Sequence, residues 1–285
     1  MGTIDDVAFC VNAFERPGLV RRMINSILAQ YPGAKIYVAD QSARSHEYPG
    51  ATKVWKLDYD VGVCAGRNHC IRSTDEPFVV QLDDDYLFTE ETDILYLAEL
   101  LESDDSLVMA GTKCRHIRPN RRGWTKYYAD VWVDNGVLYA AKPSRPARKF
   151  QGRPFQIVDV ISNFWVAKRR LFDDVLWDER YKIGGEHADF FLRVQLANGD
   201  PSIVKQYESQ KAGFGRKGPI GRVVDPGRFQ VAFVPSLLVD HMKNRPPKYQ
   251  RLRKRDVDGE KLFRRIWGVH RVKRWRKEAV PKKVF

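Results

Sequence analysis

The chain has 285 residues, of which 43% are hydrophobic and 12% aromatic, and its formal net charge is +13. This composition excludes a disordered tail, and no run of about 18 uncharged apolar residues predicts a transmembrane helix. The four cysteines form no C-x-x-C pair and the N-terminus lacks a secretory pattern, so we expect buried free thiols in a cytoplasmic protein.

Charge is distributed unevenly along the chain. Residues 1–112 carry 9 Lys or Arg and 19 Asp or Glu, whereas residues 113–285 carry 40 and 17. The cations concentrate in 113–153, 203–228 and 243–285. This asymmetry predicts a polyanionic partner that faces the second part, with DNA slightly favoured over an anionic membrane surface. A solvated basic surface without such a partner is the alternative.

The first part alternates apolar strands with helical segments. Strands are predicted at 6–11, 35–39, 54–57 and 78–82, and helices at 17–30 and 91–102. Units of this length predict a parallel, doubly wound α/β sheet. The polar residues that follow the strands are Asn12, Asp40, Asp60 and the triplet Asp83–Asp85. Because parallel strands end at one edge of a sheet, these residues are expected to converge there.

The second part has a mixed pattern. Residues 126–140 predict a β-hairpin that turns at Asn135-Gly136, and a basic loop with prolines follows at 143–156. The further elements predicted are a strand at 156–161, a helix from 168, a helix at 186–197, a glycine-rich basic loop at 211–227 and a strand at 231–239. That last strand ends on Asp240-His241.

Seven motifs occur in order along residues 6–245: VNAFERP, YVADQS, GVCAGRNHCI, LDDDY, SNFWVAKR, GGEHADFFLRV and VDHMKN. As an ordered set they resemble the GT-A glycosyltransferases of the family-2-like group. The resemblance implies an α/β GT-A fold with a mostly parallel central sheet, and the charge distribution adds basic inserted loops and a basic C-terminal extension. The resemblance also implies a nucleotide-sugar-binding half at 1–112, an acceptor-binding and catalytic half at 113–245, and the extension at 246–285.

A divalent cation is implied at the aspartate triplet. Mn²⁺ or Mg²⁺ would neutralise the diphosphate that leaves a nucleotide diphosphate sugar, with a UDP-sugar as the expected donor. Asp83 and Asp85 match the D-x-D positions of the family, so Asp85 is expected to bind the metal and Asp83 the metal or the ribose. His241 matches a late histidine that completes the coordination. Taken alone, the triplet would fit a solvated turn equally well.

Other residues are assigned to the nucleotide sugar. Asp40 matches a carboxylate that contacts the nucleoside base, and Arg67 and Asn68 match an R-N pair near the diphosphate. Residues assigned to the same edge by position alone are Asn12, Arg16 and Asp84.

The catalytic base is expected in the motif Glu186-His-Ala-Asp189. Residues i and i+3 share one face of a helix, so both carboxylates can point into a cleft. In inverting transfer one carboxylate takes the proton of the acceptor hydroxyl. The family usually has an aspartate at the position of His187, which leaves the base open: Glu186 is the first choice, Asp189 the second, and His187 is chemically able.

Asn163 and Trp165 are expected to contact the acceptor or the sugar, although a tryptophan at this position fits a core equally well. The inserted basic loops interleave cations with aromatic rings, which suits a phosphate backbone and an unstacked base. The acceptor-binding residues predicted there are Arg121, Arg122, Trp124, Lys126, Arg148 and Lys149. The favoured function is therefore sugar transfer to a hydroxylated base of DNA, as in phage DNA modification, with the base flipped out of the duplex.

Two alternatives stay open. A peripheral-membrane glycosyltransferase of cell-surface or lipid-linked glycan assembly would lay the segment 261–285 and its tryptophans on anionic lipid. A non-catalytic nucleic-acid-binding protein on the same scaffold would need no acidic site. The D-x-D carboxylates, Glu186 and His241 argue against that last alternative.

Overall fold

The fold is described by a computed structural model over residues 2–118, 121–125, 127–214, 226–242, 247–254 and 256–274. The predicted acceptor contact Lys126 and residues 215–225 of the glycine-rich loop lie outside this part, as do the side chains of Arg121, Arg122 and Trp124. In the described ranges, no helix combines the length and the apolar character that crossing a membrane requires. The four cysteines are buried free thiols, as expected.

Helices and strands alternate through the first part and mix in the second. The helices are α1 (Pro17–Gln30), α2 (Val63–Arg72), α3 (Ile94–Glu102), α4 (Leu171–Asp174), α5 (Glu186–Ala197), α6 (Pro201–Phe214), α7 (Pro247–Arg253) and α8 (Asp256–Trp267). The strands are β1 (Val7–Ala13), β2 (Lys35–Asp40), β3 (Lys53–Lys56), β4 (Phe78–Asp83), β5 (Tyr86–Leu87), β6 (Leu107–Arg118), β7 (Arg121–Thr125), β8 (Tyr128–Asp134), β9 (Val137–Ala141), β10 (Arg148–Phe150), β11 (Arg153–Val158), β12 (Val160–Ile161), β13 (Trp165–Lys168), β14 (Gln230–Met242) and β15 (Arg271–Arg274).

The strands of the first part form the parallel sheet that was predicted. Its order is β4–β1–β2–β3, with Asn12 of β1 opposite Asp83 of β4 and Ala13 opposite Asp40 of β2. Because these strands run in one direction, their polar C-terminal residues meet at one edge. The α/β class and the convergence of these residues are therefore confirmed.

Strands from the second part extend this sheet. β13 is antiparallel to β4 and β6, and β14 runs parallel to β6. β14 is 13 residues long, and its C-terminal end pairs His241 with Tyr86 of β5, directly after the aspartate triplet. The backbone N–H of Met242 also donates to the carbonyl oxygen of Asp85 at 2.7 Å. A strand late in the chain thus carries His241 to the same edge.

The core lies on both faces of the large sheet. Along β13, Val166 packs into one apolar cluster and Trp165 into the other, as the alternation of a strand requires. Trp165 is fully buried, and its ring is parallel to that of Phe190 at 5.9 Å between centroids. A ring with no exposed face cannot stack on an acceptor, so Trp165 is a core residue and its predicted role is corrected.

A second, smaller sheet has the order β12–β8–β9–β15. Its β8–β9 hairpin turns at Asn135 and Gly136, whose φ angles of 47° and 70° suit the predicted turn. The strand predicted at 156–161 is interrupted at Asp159, because β11 belongs to the large sheet and β12 to the small one. The helix predicted from residue 168 begins at Leu171 instead, and α6 was not predicted.

The C-terminal residues 247–254 and 256–274 fold onto the rest of the chain. β15 pairs with β9, and α8 packs on α5 and α6 with Trp267 fully buried. The membrane alternative placed this tryptophan on lipid, and the structure places it in the core. The boundary expected at residue 112 falls inside β6.

Candidate active site

A cleft opens at the edge where the parallel strands end. It contains about 870 Å³ of space not occupied by atoms, part of it open to solvent. The predicted site residues that line it are Asn12, Arg16, Arg67, Asp83, Asp84, Asp85, Asn163, Glu186 and His241. Residues from β1, α2, β4, α5 and β14 therefore meet in one place.

Asp85 and His241 are in direct contact in this cleft. Asp85 Oδ1 lies 3.1 Å from His241 Nε2, and Asp85 Oδ2 accepts from Arg16 Nη1 at 2.9 Å. Burial alone would raise the pKa of Asp85, but the charges and hydrogen bonds of His241 and Arg16 outweigh it and hold the pKa below its usual range. Asp85 is thus an ionised carboxylate, the state that a metal ligand requires.

The other two aspartates of the triplet are paired with arginines. Asp83 Oδ1 accepts from Arg67 Nη2 at 2.7 Å, and Asp84 accepts from Arg16 Nε at 3.1 Å and from Arg16 Nη2. Both guanidinium groups are buried. Guanidinium groups offset the like charge that the triplet brings to the sheet edge, since a buried carboxylate needs a charged or hydrogen-bonded partner.

Arg67 has hydrogen-bond donors that no described residue accepts. Its Nε and Nη1 atoms are buried and have no hydrogen-bond partner among the described residues. Its guanidinium stacks on the ring of Trp177 at 4.2 Å, which fixes its plane. Burial alone would lower the pKa of Arg67, but the charges of Asp83 and Glu186 raise it above its usual value. Unpaired buried donors in a cleft fit phosphate or hydroxyl oxygens of a ligand.

Glu186 is the only residue of the E-H-A-D motif that lines the cleft. It begins α5, directly after Gly184 and Gly185, whose φ angles of 83° and 78° form a left-handed turn. Its charge acts on Arg67. Glu186 therefore lies near the buried guanidinium of Arg67, and both residues line the cleft.

His187 is a buried core histidine. Its Nδ1 lies 2.5 Å from Oδ1 of Asn163, and its ring packs against those of Tyr127 and Phe191. Burial, and then the charge of Arg67, lower its pKa to about 3. An imidazole with this pKa is neutral and weakly basic at pH 7, so its contact orients Asn163, which does line the cleft.

Asp189 points away from the cleft into a buried network. Its carboxylate forms an ion pair with Arg193 at 2.6 Å and accepts from the indole N–H of Trp267 at 2.8 Å. Arg193 also pairs with Asp178 at 3.0 Å. Geometry therefore leaves Glu186 as the carboxylate of this motif that can reach a substrate.

Asn68 and Asp40, which were predicted to contact the nucleotide, form hydrogen bonds within the protein instead. Asn68 donates to the carbonyl oxygen of Trp177 at 2.8 Å and accepts from its N–H at 3.1 Å. Asp40 accepts from the backbone N–H of Ser42 at 2.9 Å and from the hydroxyl of Tyr48 at 3.1 Å. Neither side chain lines the cleft.

The predicted acceptor contacts on β10 lie elsewhere. Arg148 and Lys149 are exposed on this edge strand and are not among the residues that line the cleft. Arg148 Nη1 lies 3.6 Å from a carboxylate oxygen of Asp104. The structure therefore brings Asn163, but not these cations, to the site.

Comparison with known proteins identifies the family. The model of glycosyl transferase family 2 matches residues 9–176, more than half of the chain. The chain belongs to glycosyl transferase family 2. The resemblance seen in the ordered motifs is thereby confirmed, and with it the classification as a glycosyltransferase.

Relatives of this family-2 chain include N-acetylgalactosaminyltransferases. It is 27% identical over 192 residues to human beta-1,4 N-acetylgalactosaminyltransferase 1 and 30% identical over 107 residues to mouse beta-1,4 N-acetylgalactosaminyltransferase 2. These alignments cover 65% and 37% of the chain, and 35% and 21% of the relatives. The chain thus spans about a third or less of the length of these curated relatives.

Solved structures confirm the GT-A fold of this family-2 chain. The crystal structure of S. aureus TarS aligns with a TM-score of 0.51 and 12% identity, over 93% of this chain and 43% of that one. The structure of TarS 1-349 aligns with a TM-score of 0.50 and 11% identity, over 91% and 70%. At this identity the likeness concerns the fold alone.

In the cleft of this family-2 chain, Asp85 and His241 are the residues that could hold a divalent cation. No group of three or more His, Cys, Asp or Glu side chains in the described ranges is arranged to hold a metal. Asp85 and His241 present two ligand atoms 3.1 Å apart, close to the about 3 Å between neighbouring ligands of a Mg²⁺ octahedron with bonds of about 2.1 Å. Mg²⁺ in nucleotide sites commonly has one or two protein ligands, with phosphates and water completing the shell. Asp83 is paired with Arg67 and is therefore not counted among these two ligands.

Several cleft residues of the family-2 site were not predicted. Gln41 donates to Asn12 Oδ1 at 2.8 Å and accepts from the N–H of Gly62 at 2.8 Å, which ties two loops of the cleft together. The further lining residues that were not predicted are Phe14, Val63, Lys182, Ile183, Tyr249 and Leu252. Asp60 also lines the cleft, and the sequence predicted it at this edge of the sheet without assigning it a function. Tyr249 and Leu252 lie on α7, about 60 residues beyond Glu186, and no local sequence motif predicts their place in the cleft.

Replacing Tyr249 with alanine is expected to raise the KM for the donor about fivefold, with little change in kcat. The guanidinium carbon of Arg16 lies 4.0 Å from the centre of the Tyr249 ring, and such a contact is worth about 1 kcal/mol. UDP release at varied donor concentration measures the change. Tyr249→Phe keeps the ring and should stay within twofold of wild type. An alanine variant with the wild-type KM would contradict this role.

Replacing His187 with glutamine is expected to flatten the loss of stability in acid. The folded pKa of about 3 lies below the usual value, so the unfolded chain binds the extra proton and native stability falls as the pH drops from about 6.5 towards 3. The wild type should lose about 1 kcal/mol more than the variant per pH unit between pH 6 and 4. Urea unfolding at a series of pH values measures the difference. Parallel pH dependences would show that His187 does not resist protonation.

Proposed function

We propose that this chain transfers a sugar from a nucleotide diphosphate sugar to an acceptor hydroxyl, with inversion at the anomeric carbon. The observation that carries the proposal is the presence of Asp85, His241, Arg67 and Glu186 in one cleft. In this proposal residues 1–112 bind the nucleotide sugar and residues 113–245 the acceptor.

The diphosphate end of the cleft would be held by cations. Asp85 and His241 are the residues that would hold Mn²⁺ or Mg²⁺, which when bound supplies positive charge to a departing diphosphate. The free Nε and Nη1 donors of Arg67 would bind phosphate oxygens, since hydrogen bonds from a guanidinium to phosphate are strong and directional. Arg16 would hold Asp84 and Asp85 in place through its hydrogen bonds, and Asp83 would hold Arg67.

Glu186 would act as the base. Its carboxylate takes the proton of the acceptor hydroxyl while the acceptor oxygen forms a bond to the anomeric carbon. The bond from that carbon to the diphosphate oxygen breaks, and its electron pair leaves with the diphosphate. Asn163, held by His187, lies in the same cleft and would bind a hydroxyl of the sugar or acceptor.

Donor identity can be tested directly. The curated relatives are named for N-acetylgalactosamine transfer, so UDP-N-acetylgalactosamine is the first donor to test. UDP release with Mn²⁺ should be measured for this donor beside UDP-N-acetylglucosamine, UDP-galactose and UDP-glucose. Release from at least one of them, abolished by excess EDTA, is expected. No release from any nucleotide sugar would favour the non-catalytic binding protein.

For the acceptor we propose a glycan hydroxyl, with a hydroxylated DNA base as the second candidate. The relatives' names support the glycan. The net charge of +13 favours DNA, but several cations of the basic loop are paired with acidic residues of the chain. Three arginines of the basic loop and the adjoining β10–β11 hairpin pair with acidic residues: Arg145 with Asp159 at 2.6 Å, Arg148 with Asp104 at 3.6 Å and Arg153 with Asp93 at 3.6 Å.

A gel shift with plain and hydroxymethylated DNA over a salt series separates the two acceptors. A DNA acceptor requires binding that weakens steeply with salt, together with sugar transfer that depends on the hydroxymethyl group. Transfer to an oligosaccharide panel, without transfer to DNA, is the result expected for a glycan acceptor. Binding only to anionic vesicles would support action at a membrane surface.

A further inference from the structure

The turn that precedes Glu186 is built from two glycines. Gly184 and Gly185 both have positive φ, which residues with a side chain adopt only with strain. The first hydrogen bond of α5 runs from the N–H of Asp189 to the carbonyl oxygen of Gly185 at 3.0 Å. The direction in which Glu186 leaves the backbone therefore depends on this turn.

Helix α8 lies directly on the glycine turn. A Cβ atom on Gly259 would overlap the carbonyl oxygens of Gly184 and Ile183, and a Cβ on Gly185 would lie 2.6 Å from the carbonyl oxygen of Gly259. Glycine in a helix is destabilising relative to alanine, so its presence at position 259 needs a steric reason. Close approach of α8 to the turn supplies that reason.

The opposite side of the turn rests on α2. The backbone N–H of Val63 donates to the carbonyl oxygen of Lys182 at 2.9 Å. A Cβ on Gly62 would lie 2.9 Å from the Cα of Lys182, so backbone again meets backbone. The segment 182–185 is therefore held between the start of α2 and the start of α8.

The far end of α8 holds α5 at a second point. The indole N–H of Trp267 donates to Asp189 Oδ1 at 2.8 Å, one helical turn after Glu186, and Trp267 is fully buried. The ion pair of Asp189 with Arg193 keeps that carboxylate in place. Contacts at Gly259 and Trp267 thus hold both the turn and the first turn of the helix that carries Glu186.

We propose that α8 is a positioning element of the active site, which sets the direction of Glu186 through Gly259 and Trp267. This inference rests on the proposed role of Glu186 as the base. Misplacing a reacting group by about 1 Å can cost up to about 10²-fold in rate. The matched family region ends at residue 176, so α8 is a part of this chain beyond that region which completes its site.

The substitution Gly259→Ala tests the proposal. Helix propensity alone predicts that it stabilises the protein, whereas the overlap with Gly184 moves α8 off the turn. We expect kcat to fall at least tenfold, with the donor KM and the affinity for UDP and Mn²⁺ within twofold of wild type. Gly18→Ala, in the first turn of α1 with open space around it, is the matched control and should keep the wild-type kcat.

A double variant separates positioning from a general loss of structure. If Gly259 acts through Glu186, adding Gly259→Ala to Glu186→Gln should lower the residual rate less than twofold. A further tenfold loss in the double variant would show that α8 merely supports the fold. Full activity of Glu186→Gln by itself would refute the proposed base, a result separate from any effect at Gly259.

Trp267→Phe keeps the proposal testable if Gly259→Ala does not fold. This change removes the indole N–H that Asp189 accepts together with the five-membered ring, and it keeps a six-membered aromatic ring in the core. The expected result is a severalfold loss of kcat with unchanged UDP affinity. A wild-type kcat in either folded variant would overturn the proposal.

Discussion

Asp85→Asn is expected to lower kcat/KM by at least about 10²-fold, because stabilisation of a departing diphosphate by a metal is worth several kcal/mol. The asparagine keeps the volume of the side chain and loses the charge that pairs with His241 and Arg16. Affinity for Mn²⁺ in the presence of UDP, measured by calorimetry, should fall together with the rate.

Asp105→Asn is the control for this change. The Asp105 side chain is 87% exposed and its ion pair with Lys168 is long, at 3.8 Å, so neither the rate nor the affinity for Mn²⁺ should change. If Asp85→Asn released UDP at the wild-type rate, or if wild type worked undiminished in excess EDTA, the metal would have no place in the reaction.

Glu186→Gln is expected to lower kcat by about 10²–10⁴-fold, the usual contribution of general acid–base catalysis. The amide cannot take the proton of the acceptor hydroxyl, but it fills the same space, so the donor KM should change little. Initial rates at saturating donor and varied acceptor measure the effect.

His187→Gln distinguishes the remaining candidate for the base. Because the pKa of His187 is lowered to about 3, the ring is a poor base near neutral pH, and its replacement should cost less than that of Glu186. A wild-type rate in Glu186→Gln combined with an inactive His187→Gln would reverse the assignment.

Local patterns were sufficient to predict the polar edge of the parallel sheet. Alternating strands and helices predicted parallel strands, and the ends of parallel strands must share an edge. Asn12 and the triplet Asp83–Asp85 therefore came together without knowledge of any contact. The left-handed turn at Asn135-Gly136 was predictable for a similar reason, since few residues other than asparagine and glycine adopt its φ angles.

Motif spacing was a weaker guide to individual side chains. Glu186 and Asp189 share a helix face by spacing, yet only Glu186 reaches the cleft, because Arg193 and Trp267 draw Asp189 into the core. Trp165 follows Asn163 by two residues but lies on the buried face of β13. Which of two candidates is buried depends on partners distant in the chain, and these cannot be found by reading the neighbourhood of a motif.

Sequence by itself determined the α/β class, the family and the edge of the sheet where the site lies, since these follow from strand periodicity and from polar residues at strand ends. Only the tertiary structure decided that α7 supplies Tyr249 to the cleft and that α8 rests on the turn before Glu186. The physical reason is range. Periodicity in the sequence reports interactions between residues a few positions apart. The lining of the cleft by α7 and the backbone contact of α8 join residues tens of positions apart, and they exist only once the chain has packed.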